Sequence, residues 1–576
     1  MKIDSNLNEL SAFLLAIAIN KVYDFATICN WEVNDDGFFI DLSLTEKNIS
    51  TNDFSKIERA FNKLTSGALK IEYDKVDQEH ALKLFKNNKY LSYLIKKDIK
   101  SVNYVAKIND NLFLTSQDEI VKTNIIKAFK LMNVGGSYWL GDASKEQLTR
   151  IYGVAFDSRD KLDDFIKEYN ERLESDHRTI GKNLELFTFD QLAGQGLPIW
   201  LPNGSIIKKE IRNFLSELEF KYGFDNTNTP ILGNIDLYKK SGHWVHYKEN
   251  IFPPMQIDNE QLILRPMTCP HHILIYKKKI YSYKQLPVRL CEESMLHRYE
   301  SSGGLTGLER VREMVLEDTH IFCTPEQVEQ EVFNCYKIIN EAYAGLGCKI
   351  YQVDLSLHDP NNSEKFHNDK KMWDLAENNL RKMLREKQIN FIEKIGEAAF
   401  YGPKIDFQVK TNLGRIITMS TIQLDFLLPK RFELEYKNEK SEFKPVIMIH
   451  LGIVGTYERL LSIILEQTKG NLPLWLSPQQ TIIIPVSDEQ LEYANKVNEF
   501  LRSNLIRSRI DNRDERMSRK IRDAQVSKIP YQIIIGNEEI NTNTIAVRKT
   551  GSEKTTIYKL NKFLDLIKTQ IEKKSN

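Results

Sequence analysis

Residues 289–323 read RLCEESMLHRYESSGGLTGLERVREMVLEDTHIFC, and the largest folded unit is best understood outward from them. One apolar run ends in Arg298 and Glu300, a glycine-rich turn follows at Gly303, Gly304 and Gly307, and Arg310 and Arg312 open the next run. A hairpin with arginines on both stems is suited to clamp a nucleotide phosphate or an RNA end. Taken alone, a solvated charged hairpin explains the same pattern equally well.

The chain contains neither GxxxxGK[ST] nor a strand–GxGxxG–helix unit, so any phosphate has to be held by side chains. Two further segments carry arginines in a suitable setting. One is the strand-like TMSTIQLDFLLPKRFELEY, residues 418–436; the other is IHLGIVGTYERLLSIILEQ, residues 449–467, where Gly452 and Gly455 lead into a helix with Arg459 near its start.

A chain of 576 residues is too long for one hydrophobic core. Residues 1–150 alternate short helices and strands: a helix near 7–23, an alternating strand GFFIDLSL and a helix DFSKIERAFNKL predict an α+β domain. Residues 151–185 carry Leu162, Phe165, Ile166, Tyr169 and Leu173 at helical spacing among dense charges, the pattern of a connecting helix. Residues 186–474 form the largest unit, and 475–576, opening with TIIIPV, alternate strand and helix as a small α/β domain with parallel pairing.

A net charge of +1 decides nothing about a polyanionic partner, because a basic face can be cancelled elsewhere. Six scattered cysteines lack the spacing of a disulfide framework and fit a reducing, cytoplasmic setting. The apolar stretch LSAFLLAIAI ends at Asn20 and Lys21, too short to span a bilayer and without signal-peptide flanks. It predicts a buried amphipathic helix, and no membrane partner is expected.

The segments SYWLGDASKEQLTRIYG, RPMTCPHHILIY, AFYGPKIDF, STIQLDFLLPKRFELEY and VIMIHLGIVGTYERLL, together with 289–323, stand in an order and at spacings that resemble the threonine-specific family of class II aminoacyl-tRNA synthetases. The resemblance covers nearly the whole chain. It implies an α+β multidomain fold: an editing-like domain, an antiparallel catalytic sheet flanked by helices, and a C-terminal α/β anticodon-binding domain. It also implies activation of threonine by ATP with Mg2+, charging of tRNA(Thr), and a homodimer joined through the motif ending at Pro230.

By residue-wise matching, the family's zinc ligands fall on Cys269, His320 and His450. From spacing alone this trio is weak, because the three lie far apart and a lone histidine on an apolar strand is usually a satisfied core residue. A thiolate and two imidazoles would fill three positions of a tetrahedral zinc and leave room for substrate. The resemblance further assigns Arg298 and Arg459 to the ATP phosphates, Glu300 and Arg310 to ATP, Asp318 to the substrate hydroxyl, and Tyr401, Lys404 and Gln423 to the adenylate and tRNA end. Asp514, Glu539 and Arg548 match anticodon contacts, with Asp514 replacing the family's asparagine.

Departures are concentrated in two places. Leu316, Glu313 and Thr306 stand where the family usually has glutamine, glycine and histidine. The four hydrolytic positions of the editing domain are replaced by Glu9, Phe13, Thr115 and Glu119, so the scaffold is expected without its chemistry. Two other classes remain open at this level: a catalytically silent paralogue that binds tRNA or mRNA, and a class II synthetase for proline or serine, against which the Cys269, His320, His450 set speaks.

Overall fold

The computed structural model describes residues 3–46, 48–97, 104–120, 122–142, 145–362, 365–366, 369–411 and 414–574. They form two compact units, Met1–Glu171 and Arg172–Asn576. The first includes all of the strand Gln147–Phe156, which runs through the position expected to separate a domain from a linker.

In the first unit α1 (Ser5–Val22) and α2 (Phe54–Ser66) cover a sheet ordered β1–β2–β7–β6. Its strands are β1 (Ala26–Asn34), β2 (Gly37–Leu44), β6 (Ala128–Tyr138) and β7 (Gln147–Phe156). A second sheet joins β3 (Glu72–Lys75), β4 (Tyr104–Ile108) and β5 (Asn111–Thr115). The helix α1 is not one-sided as its sequence suggests: every residue from Leu10 to Ile19 is buried, the mark of a helix enclosed by its unit. GFFIDLSL likewise does not alternate, since Gly37–Leu42 are all buried. Asp41 is accommodated there by Arg150 at 2.7 Å, whose guanidinium also lies 3.6 Å from the Phe39 ring centroid. In the charged segment that follows, α3 (Arg159–Ser175) buries Leu162 and Phe165 against Ala128, Val154 and Phe156, while Leu173 stays exposed.

The second unit is built on an eight-stranded sheet. Its strands are β8 (Asp225–Asn226), β9 (Val288–His297), β10 (Glu313–Cys323), β11 (Gln352–Leu357), β12 (Ile392–Ile395), β13 (Lys404–Lys410), β14 (Ile416–Asp425) and β15 (Ile447–Thr456). Their spatial order is β8–β9–β10–β15–β14–β13–β11–β12. The interior pairs are antiparallel, and only the two edge strands pair in parallel. The antiparallel catalytic sheet expected from the resemblance is therefore present.

Period two divides that sheet into two faces. Ile321 on β10, Ile449 and Leu451 on β15, Ile422 and Leu424 on β14, and Ile405 and Phe407 on β13 point into one core. That core is completed by α4 (Pro202–Lys221), α6 (Val328–Leu346), α7 (Lys370–Glu386) and α8 (Tyr457–Thr468), through residues such as Ile211, Ile339, Leu380 and Leu461. The residues between them in sequence, including His320, His450, Gln423 and Lys404, face the other way. There the short helix α5 (Cys269–Tyr276) lies against β10.

The C-terminal domain has the strand order β17–β16–β18–β19–β20, with β16 (Thr481–Pro485), β17 (Ser508–Ile510), β18 (Tyr531–Ile535), β19 (Ile545–Lys549) and β20 (Thr555–Tyr558). β17, β16 and β18 are parallel as expected. The last two pairings are antiparallel, because the connection between β18 and β19 holds only the short helix Asn537–Thr542, too short for a parallel crossover.

Candidate active site

One transverse row of the sheet carries much of the site. His320 pairs with His450, His450 with Gln423, and Gln423 with Lys404. Side chains on neighbouring strands in such a row stand about 5 Å apart. Residues distant in sequence thereby become neighbours. Asp318, two residues before His320, shares its face, and its carboxylate lies 3.7 Å from His320 Nε2.

Cys269 enters this row from the first turn of α5. Its sulphur and one nitrogen each of His320 and His450 lie within 4.8 Å of one another, and all three residues are buried. Asp425, itself fixed by the amides of Leu427 and Leu428, accepts the Nε2 proton of His450 at 2.8 Å. That leaves His450 Nδ1 a bare acceptor, 3.1 Å from His320 Nε2. Burial and three neighbouring histidines hold the pKa of His320 well below its usual value, so that ring is neutral. Burial, then Asp318 and Asp425, push the Cys269 thiol well above its usual value, so a thiolate here requires a cation. The donor set, one sulphur and two neutral imidazoles with a carboxylate behind one of them, fits zinc.

Beside the row opens a cavity of about 550 Å³ whose lining includes His246, Tyr247, Arg298, Tyr401, Lys404 and Gln423. Tyr401 stacks on His450 with centroids 4.9 Å apart and donates its hydroxyl to Gln423, while Lys404 pairs with Asp406 at 2.6 Å. Arg298 meets only the Met267 sulphur, at 3.3 Å, and no carboxylate among the described residues. Arg459 is capped by Thr456 at the start of α8 and donates to the carbonyls of Glu309 and Thr418. Burial first, then the charge of Arg298, make its cation costly, a cost that a phosphate oxygen relieves. Gly455 allows the chain to reach this point: its φ is +66° and a Cβ would stand 2.6 Å from the Met419 carbonyl.

Arg310 and Glu300 pair with each other at 2.8 Å across the hairpin, and Arg312 donates to the carbonyls of Glu300 and Gln195. Of the departures, Leu316 packs with Leu296, Val311 and Met314, an apolar contact in place of an amide. Glu313 accepts from His297 at 3.2 Å, and Thr306 bridges to Arg310 by backbone.

Sequence reasoning passed over two histidines of this site. His243, in SGHWVHY, places Nε2 3.5 Å from the Cys269 sulphur, and His272 places Nδ1 2.8 Å from His320 Nδ1. The helical spacing of Cys269 and His272, three residues apart, was the available signal. A second cluster, Asp176, His177 and Glu466, also brings ligand atoms together, but its lone pairs are already used. His177 donates Nδ1–H to Glu466 at 2.8 Å and accepts the Leu308 amide at Nε2, while Arg178 and Arg415 hold the carboxylates. It is a latch for the hairpin base.

In the first unit, the four positions matched to an editing site lie on α1, which packs against β5, and on β5 and the loop after it. Glu9 accepts from the amide and hydroxyl of Ser116, Thr115 bonds locally to Gln117, and Glu119 accepts from Asn6. Phe13, 2% exposed, stacks on Phe113 at 4.8 Å, and Trp31 covers the other ring at 3.9 Å.

The three anticodon-matched residues are not brought together equally. Asp514 and Glu539 follow the parallel strands β17 and β18 and so lie beyond the same edge of the sheet. Glu539 caps the Asn537–Thr542 helix through Gly536 at 2.8 Å. Arg548 pairs with Gln532, back along β18, and donates to the Ser552 carbonyl.

The second unit, with its largely antiparallel sheet, has the core of a class II aminoacyl-tRNA synthetase. Residues 249–468 match the family described as tRNA synthetase class II core domain (G, H, P, S and T), and 480–570 match the anticodon binding domain. The threonine-tRNA ligase of Ureaplasma parvum is 54% identical over 580 residues, covering 100% of both chains. That of Mycoplasmoides gallisepticum is 46% identical over 542 residues, 93% of this chain and 95% of the relative. Among solved structures, the RNA binding domain of threonyl-tRNA synthetase from Cryptosporidium parvum superposes with a TM-score of 0.66 at 35% identity, over 69% of this chain and 98% of that one. The chain belongs to the threonine-tRNA ligase family.

Proposed function

We propose that this chain activates threonine with ATP, supplied as its Mg2+ complex, transfers it to tRNA(Thr), and does not hydrolyse the seryl-tRNA it makes in error. The observation that carries the first part is the convergence of Cys269, His320 and His450 beside Asp318 and a cavity with Arg298 in its wall. Zinc held by those three residues would supply a Lewis-acid seat for an amino group and the hydroxyl next to it.

The chain's own groups do the rest. Asp318 accepts the hydrogen of the substrate hydroxyl, which valine does not have. Arg298 stabilises charge gathering at the α-phosphate as the carboxylate attacks, and Arg459 holds the far phosphate. Tyr401, Gln423 and Lys404 border the space for the adenylate and the tRNA end.

Serine carries both groups that the seat recognises and differs by one methyl, worth about 10–200-fold in a fitted pocket. Relatives in this family remove that error at a second site. Here Phe13 and its ring stack stand in its place, and Phe13 offers no atom able to activate water. The surrounding carboxylates, Glu9 and Glu119, disfavour an RNA end.

Homodimerisation through the segment around Pro230 is supported by apolar side chains left exposed near it, Phe220 at 84%, Ile231 at 39% and Leu232 at 40%. Cytoplasmic residence agrees with six buried, unpaired cysteines; among the described residues no helix is long and apolar enough to cross a membrane.

The deciding experiment charges tRNA(Thr) with threonine, serine and valine in parallel, with zinc content measured on the same sample. We expect threonine charging with one zinc per protomer, no valine charging, and seryl-tRNA that decays at the uncatalysed rate. Absence of threonine-dependent pyrophosphate exchange would favour a silent RNA-binding paralogue. Enzyme-dependent seryl-tRNA hydrolysis would overturn the loss of editing.

A further inference from the structure

We propose that His272 and Glu292 are positioning residues that fix which nitrogen of His320 is free to bind metal. The inference rests on the zinc assignment above. His272, Glu292 and Arg265 are 0%, 1% and 2% exposed, so each proton in their chain has to be accounted for within the protein.

The chain starts at Arg265, whose Nη1 donates to Glu292 Oε1 at 2.8 Å. Arg265 also donates to the Met295 carbonyl and to Thr229, while Thr229 donates its hydroxyl to Glu292 Oε2 at 2.7 Å. Glu292 is therefore an acceptor on both oxygens. His272 Nε2 faces Glu292 Oε2 at 3.2 Å and the Thr227 hydroxyl oxygen at 3.2 Å. Thr227 is placed to donate its own hydrogen to the Cys291 carbonyl. Both neighbours of His272 Nε2 are thus acceptors, and that nitrogen carries the proton.

A ring that carries its one proton at Nε2 is bare at Nδ1. His272 Nδ1 stands 2.8 Å from His320 Nδ1, so it accepts a hydrogen bond from the Nδ1–H of His320, and His320 is left bare at Nε2. That atom lies 3.1 Å from His450 Nδ1, which Asp425 has already left bare. Two lone pairs that face each other at this distance repel unless a cation lies against both. Two nitrogens bound to one tetrahedral zinc stand about 3.3 Å apart, given bonds of about 2.0–2.1 Å. Without His272 the His320 ring can hold its proton on either nitrogen, and one of the two forms cannot bind.

The test compares zinc affinity, by chelator competition, in the full-length wild type, His272→Phe, His272→Gln and Glu292→Gln. Phenylalanine fills the space and offers no acceptor; glutamine restores an acceptor for the His320 proton. We expect His272→Phe to bind zinc about 10–100-fold more weakly, the usual effect of losing an outer-sphere partner of a ligand, and His272→Gln to recover most of that loss. Glu292→Gln should fall between them. In the cobalt-substituted proteins, the visible bands should shift for His272→Phe and return for His272→Gln. Equal, wild-type affinity in all variants would overturn the inference while leaving the zinc site standing. Equal loss in the Phe and Gln variants would also overturn it, since that is what a merely structural role predicts. A wild type that binds no zinc would instead remove the assignment on which the inference rests.

Discussion

The editing-like region of the first unit and the metal row of the second each bring together positions that a family assigns to chemistry, and they differ in how their atoms are satisfied. Around Phe13 the rings stack, Glu9 accepts from Ser116 and Glu119 from Asn6 between the helix and the loop after β5, and Thr115 bonds locally to Gln117. Around His320 the hydrogen-bond directions leave acceptors facing one another, and among the described residues Arg298 and Arg459 have no carboxylate at ion-pair distance. The first region is held by packing and by hydrogen bonds between charged and neutral groups. Unmet polar valence is the better sign that chemistry remains.

The sharpest way to break that comparison is Cys269→Ser. It should release the zinc and reduce threonine-dependent pyrophosphate exchange to background; full exchange by a metal-free wild type would show that the row is only structural. Arg298→Ala comes next, with adenylate formation slowed by on the order of a hundredfold or more and tRNA binding little changed, read by pre-steady-state kinetics beside a filter-binding titration. A drop in tRNA affinity with normal exchange would place the arginine in docking.

Phe13→Ala tests the other side. Removing a buried ring costs about 3–5 kcal/mol, so proteolysis or hydrogen exchange should show the first unit loosened while aminoacylation in the second continues. A matching loss of charging would mean that the first unit carries catalysis after all.

The smallest effect concerns pH. Burial lifts the Glu458 carboxyl from 4.5 to about 7, against the pull of Lys208 and the Val315 amide. A group protonated more readily in the folded than in the unfolded state stabilises fully below the unfolded value, and that contribution is lost as pH rises through the folded one. The apparent melting midpoint of the second unit should therefore fall between about pH 4.5 and 7. Burial pushes Glu219 and Glu317 in the same direction. Glu458→Gln should flatten the slope; an unchanged slope would assign it to the other two.

Much of the second unit is legible in one dimension. The hairpin of residues 289–323, the strands around His450 and Gln423, and the helix after Gly455 all follow from local pattern, because their periodicity and glycines act within a few residues. The partners of His320 do not. Register between β10, β15 and β14 depends on three strands meeting in space, and the roles of His243 and His272 depend on hydrogen bonds from elements far away in sequence. The all-round burial of α1 and of Gly37–Leu42 was hidden for a related reason: a stretch reads as one-sided until the second layer that covers it is known. The antiparallel end of the C-terminal sheet was hidden because a six-residue helix leaves almost no periodic signal.

The transverse row from His320 to Lys404 has a consequence for how this sequence can drift. Alternation along each strand means that inserting or deleting a single residue in β10, β15 or β14 would turn a row member from the cavity into the helix-covered core and carry an isoleucine or leucine out in its place. A point change alters one side chain and its contacts, such as those of Leu316 with Leu296, Val311 and Met314. A change of length is not confined in that way. Among natural variants of this chain, gaps should collect in the loops that join these strands, and a library of one-residue deletions scored for growth should trace the row as an unbroken line of failures.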